Sequence, residues 1–396
     1  MEKHWLPVLL AVTFGCGESQ ATGGDAPGQS GMGGGASAGN ATGGTSAGKA
    51  SGGAGGGSTQ AGSASQPPAG GGGSGTAGSG GTPEPMIPNE TVVHEIPSLP
   101  DCTTPYPHDP AVDEATGLVY YADSNESCIG ELNPETMEYR AWPTPTPGSY
   151  PHGLAVDDQS RVFYTAQDTD RIGRLVPATE TIEDFAVDAN GPHTPTFHDG
   201  SIWFTAQQGG QFGTFDREAG TAVVYPFDDT ASRPYGMWPA PDGSLWVALF
   251  GVNRLARIDV STSPPGIEEF TLPSEDSRPR RIAVDGAGRV WYTDYPRRML
   301  GLLDPAAPEA DRFAEFPMPG GGQPYGIAIG PDGRVWVDDE DVPEIVGFDP
   351  ESRSVIAQLP VPIDNAGPVR NMVVDHTRKR IWLAISDVGY LGVLQF

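Results

Sequence analysis

Seven prolines, Pro107, Pro151, Pro192, Pro234, Pro279, Pro324 and Pro368, recur at intervals of 41–45 residues. Each opens a related phrase, clearest in Pro324-Tyr-Gly-Ile-Ala-Ile-Gly-Pro-Asp-Gly-Arg-Val-Trp336. A repeat of this length that holds only strand-like segments predicts propeller blades, because a small sheet buries its faces by stacking on copies of itself. Within a repeat, the first strand follows the proline, as in His152-Gly-Leu-Ala-Val156, and a tight turn such as Asp242-Gly243 or Asp332-Gly333 follows. The second strand is aromatic and β-branched: Val162-Phe-Tyr-Thr165, Ile202-Trp-Phe-Thr205, Val290-Trp-Tyr-Thr293, Val335-Trp-Val337. The third reads like Ile172-Gly-Arg-Leu175 and the fourth like Ile267-Glu-Glu-Phe-Thr-Leu-Pro273. A large ring at one place in every repeat predicts packing between blades, not a cofactor site. No segment carries helical periodicity.

The two ends of the repeat region complement each other. After Pro368 only three strands follow, and Val92-Val-His-Glu-Ile-Pro97 resembles the missing fourth. The N-terminal strand is therefore expected to complete the last blade, which closes the ring and leaves no unpaired edge at the join. The expectation is an all-β, seven-bladed propeller of four-stranded blades over residues 86–396.

What precedes it reads differently. Residues 1–16 look like an export signal: Lys3 and His4, an apolar Leu6–Phe14, then Gly15-Cys16. Cys16 stands where a bacterial lipoprotein carries its lipid. Residues 17–85 are almost entirely Gly, Ser, Ala, Thr, Gln and Pro, a composition expected to remain a disordered linker. The chain is thus expected to be exported and anchored as a lipoprotein, in the periplasm or on the cell surface. It would touch the membrane only through that anchor. An exported protein allows Cys102 and Cys128 to form a disulfide, with two free thiols as the alternative. The net charge of −28 repels phosphate backbones, so nucleic acid is not an expected partner. A monomer acting on a small-molecule or peptide ligand at the channel mouth is expected instead.

The residues after the seven prolines form a ring near the propeller axis: His108, His152, His193, Tyr235, Arg280, Tyr325 and Val369. Three histidines in consecutive blades, out of seven in the chain, suit proton transfer or metal binding. His152 and His193 are the candidate catalytic pair, and His108, Tyr235, Arg280 and Tyr325 the candidate substrate contacts. Carboxylates expected near the same mouth include Asp109, Asp123, Asp294, Asp338 and Asp339. Asp109 and Asp123 are the weak candidates for metal ligands. The bland alternative is that Pro-His is a variant of Pro-Tyr, with each ring plugging the channel. No Gly-x-Ser-x-Gly elbow is present.

These phrases resemble the repeats of the virginiamycin B lyase (streptogramin B lyase) family across residues 91–396. The resemblance implies a seven-bladed lyase that linearises cyclic depsipeptides by elimination. A histidine takes the proton next to the ester carbonyl, and a magnesium ion steadies the enolate-like intermediate. The family pair of substrate-contacting and basic histidines matches either His108 with His152 or His152 with His193. The family's metal-binding glutamates would fall two residues before the base and at the end of the second strand. There this chain has Tyr106, Tyr150 or Gly191, and Gln167 or Gln207. Mg²⁺ is therefore implied by the resemblance alone. The alternatives are a non-catalytic binding propeller and a lactonase-like metal hydrolase. Seven repeats, without matched Glu and Asn calcium ligands, argue against the hydrolase.

Overall fold

A computed structural model describes residues 87–396. The expected export signal, Cys16 and the linker to residue 85 lie outside the described residues. Among those described, seven four-stranded sheets form. Blades 1 to 6 span residues 107–143, 151–186, 192–226, 234–271, 279–317 and 324–360, each an antiparallel meander in chain order. Blade 7 takes Val369–Asp375, Arg380–Ile385 and Tyr390–Gln395, and its outer strand is Val92–Glu95. That strand pairs antiparallel with the C-terminal one, Val92 facing Val393 and Glu95 facing Tyr390. The predicted closure is what the fold shows. Cys102, between this closing strand and blade 1, is joined by a disulfide to Cys128 in the third strand of blade 1.

The core lies between blades. Seven clusters of buried apolar side chains each draw on two adjacent blades, one cluster per seam. The second-strand rings supply the bulk of it: Tyr120, Phe163, Trp246, Trp291 and Trp336 are fully buried. Each such ring removes roughly 150–250 Å² from water, a gross gain of about 4–6 kcal/mol. The recurrent glycine of the third strand has a local cause. Tyr164 lies across Gly173 so closely that a Cβ there would sit 1.8 Å from the ring, and Tyr292 covers Gly301 in the same way.

A polar seam runs inside the apolar one. Thr165 accepts the Gly153 amide of its own blade and donates to the His193 carbonyl of the next, at 3.0 and 2.7 Å. Thr205 likewise accepts from Thr194 and donates to the Tyr235 carbonyl, at 3.1 and 2.9 Å. Thr293 joins the Arg281 amide to the Tyr325 carbonyl at 3.1 and 3.0 Å. Ser124 and Ser386 donate to the carbonyls of Pro151 and Pro107, each at 2.6 Å. All five hydroxyl residues are fully buried, so nothing else would satisfy these groups.

Thr205→Val keeps the shape and orphans a buried N–H and a buried C=O. It should cost about 2–3 kcal/mol in urea denaturation followed by Trp fluorescence, whereas Thr205→Ser should stay within about 1 kcal/mol. An unchanged midpoint for the valine variant would remove the seam from the account of stability.

Candidate functional site

The ring expected from the sequence forms, and a backbone irregularity aims it. In every blade the register between inner and second strand shifts at the residues after the repeat position, as between Pro151 and Leu154 or Pro279 and Ile282. Such a bulge turns a side chain out of the pleat, here toward the axis. Proline suits the position because it has no N–H to lose from the ladder.

Two devices hold the approach to the ring. In blades 1, 5 and 6 an aspartate ending the second strand accepts the amide of the residue before the proline. Asp123 takes Tyr106 at 3.2 Å, Asp294 takes Arg278 at 3.0 Å, and Asp339 takes Gln323 at 3.0 Å. In blades 2, 3, 4 and 7 that residue is instead left-handed: Tyr150 (φ 48°), Gly191 (68°), Arg233 (45°) and Gly367 (69°). Glycine adopts this readily, but Tyr150 and Arg233 do so under strain, a pattern that concentrates at functional sites. Sequence reading missed both residues as site elements. The signal available was that a bulky residue stands where two other blades use glycine.

These contacts correct two expectations. Asp123 does not join His108, Asp109 and His152 in the donor group that could share an ion. Its carboxylate holds the Tyr106 and Glu126 amides, and burial pushes its pKa up to about 6. Asp294 and Asp339 are turn-holders of the same kind.

The ring itself is a plug rather than an open mouth: its seven residues are 1–6 % exposed. His152 is stacked between His108 and His193, with ring centroids 4.0 and 3.8 Å apart, and His193 continues onto Tyr235 at 3.9 Å. Tyr235 and Tyr325 share a hydrogen bond of 2.5 Å between their hydroxyls. Arg281 of blade 5 crosses to Asp109 of blade 1 and donates to both its oxygens at 3.1 and 2.8 Å. Asp109 also accepts from His108 Nδ1 at 3.0 Å, which makes that nitrogen the protonated one. His193 Nδ1 meets the Thr194 hydroxyl at 2.9 Å, whereas His152 Nδ1 is buried with no partner. Beyond the Asp109–Arg281 pair, on the side of the inner-strand ends, lies a cavity of 250 Å³. Phe197, Met237, Trp238 and Met372 help line it. No feature of the repeat pattern pointed to this cavity.

Electrostatics set the histidines neutral. Burial is the main cause, and the charges of Arg281 and Arg280 add to it, so His152 and His193 fall well below 6.5. His108 is lowered less sharply, with Asp109 opposing the burial. Burial alone would raise Asp109, but the Arg281 guanidinium holds it below the usual carboxylate range. Asp338 goes the other way. Burial, with Glu340 close by, raises it well above the usual value.

These environments do not fit a magnesium ion. His108, Asp109 and His152 bring three donor atoms within 4.8 Å of one another. Two of the three are imidazoles, and Asp109, the one carboxylate, has both oxygens on Arg281. Magnesium prefers a set of hard oxygens, and a guanidinium beside the site repels a cation.

Opposite pH dependences follow. The lowered histidines contribute stability that is present above their unfolded pKa, about 6.5, and lost as pH falls below it. For Asp338, whose folded pKa is raised, stability is fully present below about pH 4 and lost as pH rises. Asp338→Asn should flatten the alkaline limb of a melting-temperature profile between pH 5 and 8 and leave the acid limb. An unchanged alkaline limb would show that Asp338 does not cause it.

The sequence of the Virginiamycin B lyase family matches residues 108–346. A virginiamycin B lyase of Nocardia farcinica is 27% identical over 190 residues, 48% of this chain and 62% of that protein. The match therefore spans less than two thirds of that relative. Among solved structures, virginiamycin B lyase from Staphylococcus aureus superposes with a TM-score of 0.68 at 21% identity, covering 78% of this chain and all of the other. A streptogramin B lyase structure gives 0.67 at 20% identity, covering 77% and 97%. At these identities the structures establish a shared fold. The family match covers more than half of the sequence, and the chain belongs to the virginiamycin B lyase family.

Proposed function

We propose that this propeller is a carbon–oxygen lyase that opens an ester in a cyclic, depsipeptide-like compound, with His152 as the base. The observation that carries this reading is the state of His152: an imidazole kept neutral, held between two others, with Nδ1 unpartnered. A neutral imidazole is the form that can take a proton at pH 7. In the reaction it removes hydrogen from the carbon next to the carbonyl. The electrons left behind form a C=C bond, and the C–O bond on the neighbouring carbon breaks. Its electron pair departs with the ester oxygen as a carboxylate, so no water enters.

Named groups support the base. Asp109 fixes the tautomer of His108, which stacks on one side of His152, and Thr194 orients His193 on the other. Tyr235, Arg280 and Tyr325 complete the wall facing the substrate. No step is assigned to magnesium, because the residues present do not suit it. The proposal includes export and anchoring through Cys16, as read from the first residues.

A second reading, a non-catalytic ligand-binding propeller, is favoured by one observation: the histidines are almost wholly buried. Mass spectrometry separates the two. Incubation with a streptogramin B compound should yield a linear product of unchanged mass, whereas hydrolysis would add one water. His152→Asn should slow product formation at least ~100-fold while the circular dichroism spectrum stays native. If the unaltered protein forms no product and His152→Asn changes ligand affinity alone, the binding reading stands and the lyase reading falls.

A further inference from the structure

The plugged ring divides the axis of the propeller. None of its seven residues lines the 250 Å³ cavity beyond it, whose wall comes from the positions that follow them on the inner strands. Asp109 and Arg281, joined across the axis, stand at its inner end. Along the inner strands burial falls away from the ring, from buried Leu154 to half-buried Val156 and from buried Thr194 to half-buried Phe197. The cavity therefore opens on the face away from the histidines. Half-buried Phe197 and Trp238 stand toward that opening, and buried Met237 and Met372 lie nearer the ring along their strands.

Size and lining favour an aromatic ligand. An apolar cavity of about 150 Å³ accepts benzene, so this one accommodates a benzene ring carrying a short substituent. Phe197 and Trp238 offer ring faces and edges to such a group, and methionine adapts readily to an aromatic neighbour. Polarity at the inner end narrows the choice. Arg281 gives two of its nitrogens to Asp109, and its Nε is buried with no partner among the described residues. Asp109 already accepts three hydrogen bonds, two from Arg281 and one from His108 Nδ1. The pair thus offers a donor short of a partner, not an acceptor short of one.

We infer that this cavity is a second ligand site, separate from the histidines, which takes a small neutral aromatic carbonyl compound. Its oxygen meets Arg281 Nε and its ring lies toward Phe197 and Trp238. A charged head does not suit the place, because Asp109 and Arg281 already answer each other and a third charge would leave water without a counter-ion. An alcohol suits it less than a ketone, since its own hydrogen would then need an acceptor. The inference does not depend on the proposed elimination.

Acetophenone is the probe, with α-methylstyrene as its isostere, in which a CH₂ group replaces the carbonyl oxygen. Both are titrated by calorimetry into the full chain at pH 7. Acetophenone should bind about tenfold more tightly or better, the worth of a hydrogen bond to a buried donor that otherwise has none, although the hydrocarbon leaves water more readily. In the full chain carrying ¹³C-labelled methionine methyls, acetophenone should shift the signals of Met237 and Met372. Those of Met299 and Met318, which do not line the cavity, should stay in place. Arg281→Lys keeps a cation beside Asp109 but has no Nε–H, and should bring the two affinities to within about twofold of each other. Should that variant unfold, the affinity ratio and the methyl shifts of the unaltered protein decide the matter. Equal affinity for the isostere, binding that leaves Met237 and Met372 unmoved, or no binding of either probe (a water-filled channel only) overturns the inference.

Discussion

Seven sheets arranged around an axis must each present an inner strand whose outward amides and carbonyls find partners across a seam, because no water reaches them. In five of the seven blades a hydroxyl near the end of the second strand does that work, gripping the next blade at or beside its ring residue. Everything at the centre hangs from this grip. The bulge that turns a side chain toward the axis is usable only if the backbone on both sides is pinned. The three histidines stack because His193 and its neighbours are held from the blade before. In blade 6 the threonine position is occupied by Asp338, a titratable group that takes the Tyr325 amide of its own blade at 3.2 Å.

Charge is distributed in layers. Acidic residues dominate the chain as a whole, and many of them pair with arginines on blade faces. At the axis the buried histidines sit beside Arg281 and Arg280, and burial together with those charges discourages protonated imidazole. A lone buried imidazole would be easily explained as packing. Three together, in a region of matching electrostatic sign, are harder to explain by packing alone, since burial of so many polar rings disfavours the folded state at acid pH.

The blade count, the closing strand and the identity of the ring residues were legible because each follows from periodicity: a proline every 41–45 residues, and a strand lacking at one end and spare at the other. What the ring does spatially was not. Sequence spacing places His108, His152 and His193 side by side, but it says nothing of depth: all three are almost wholly buried, with the Tyr150 ring 6.5 Å from that of His152. Asp123 looked like a ligand because its type and place suit one. Its role as a turn-holder depends on the amide of Tyr106, a backbone partner that residue type never reveals. The crossing of Arg281 to Asp109 joins residues 172 positions apart, and only ring closure brings them together.

The closing strand has a consequence for how the molecule is made. Val92–Glu95 leaves the ribosome ahead of every blade, but its partner Tyr390–Gln395 is made after all the other described strands. Until Tyr390–Gln395 has been made, Val92–Glu95 has no partner and its edge can pair with another chain. The Cys102–Cys128 bond tethers the waiting segment to blade 1, the blade that must lie next to blade 7. The strand born first is kept beside the place it will occupy last.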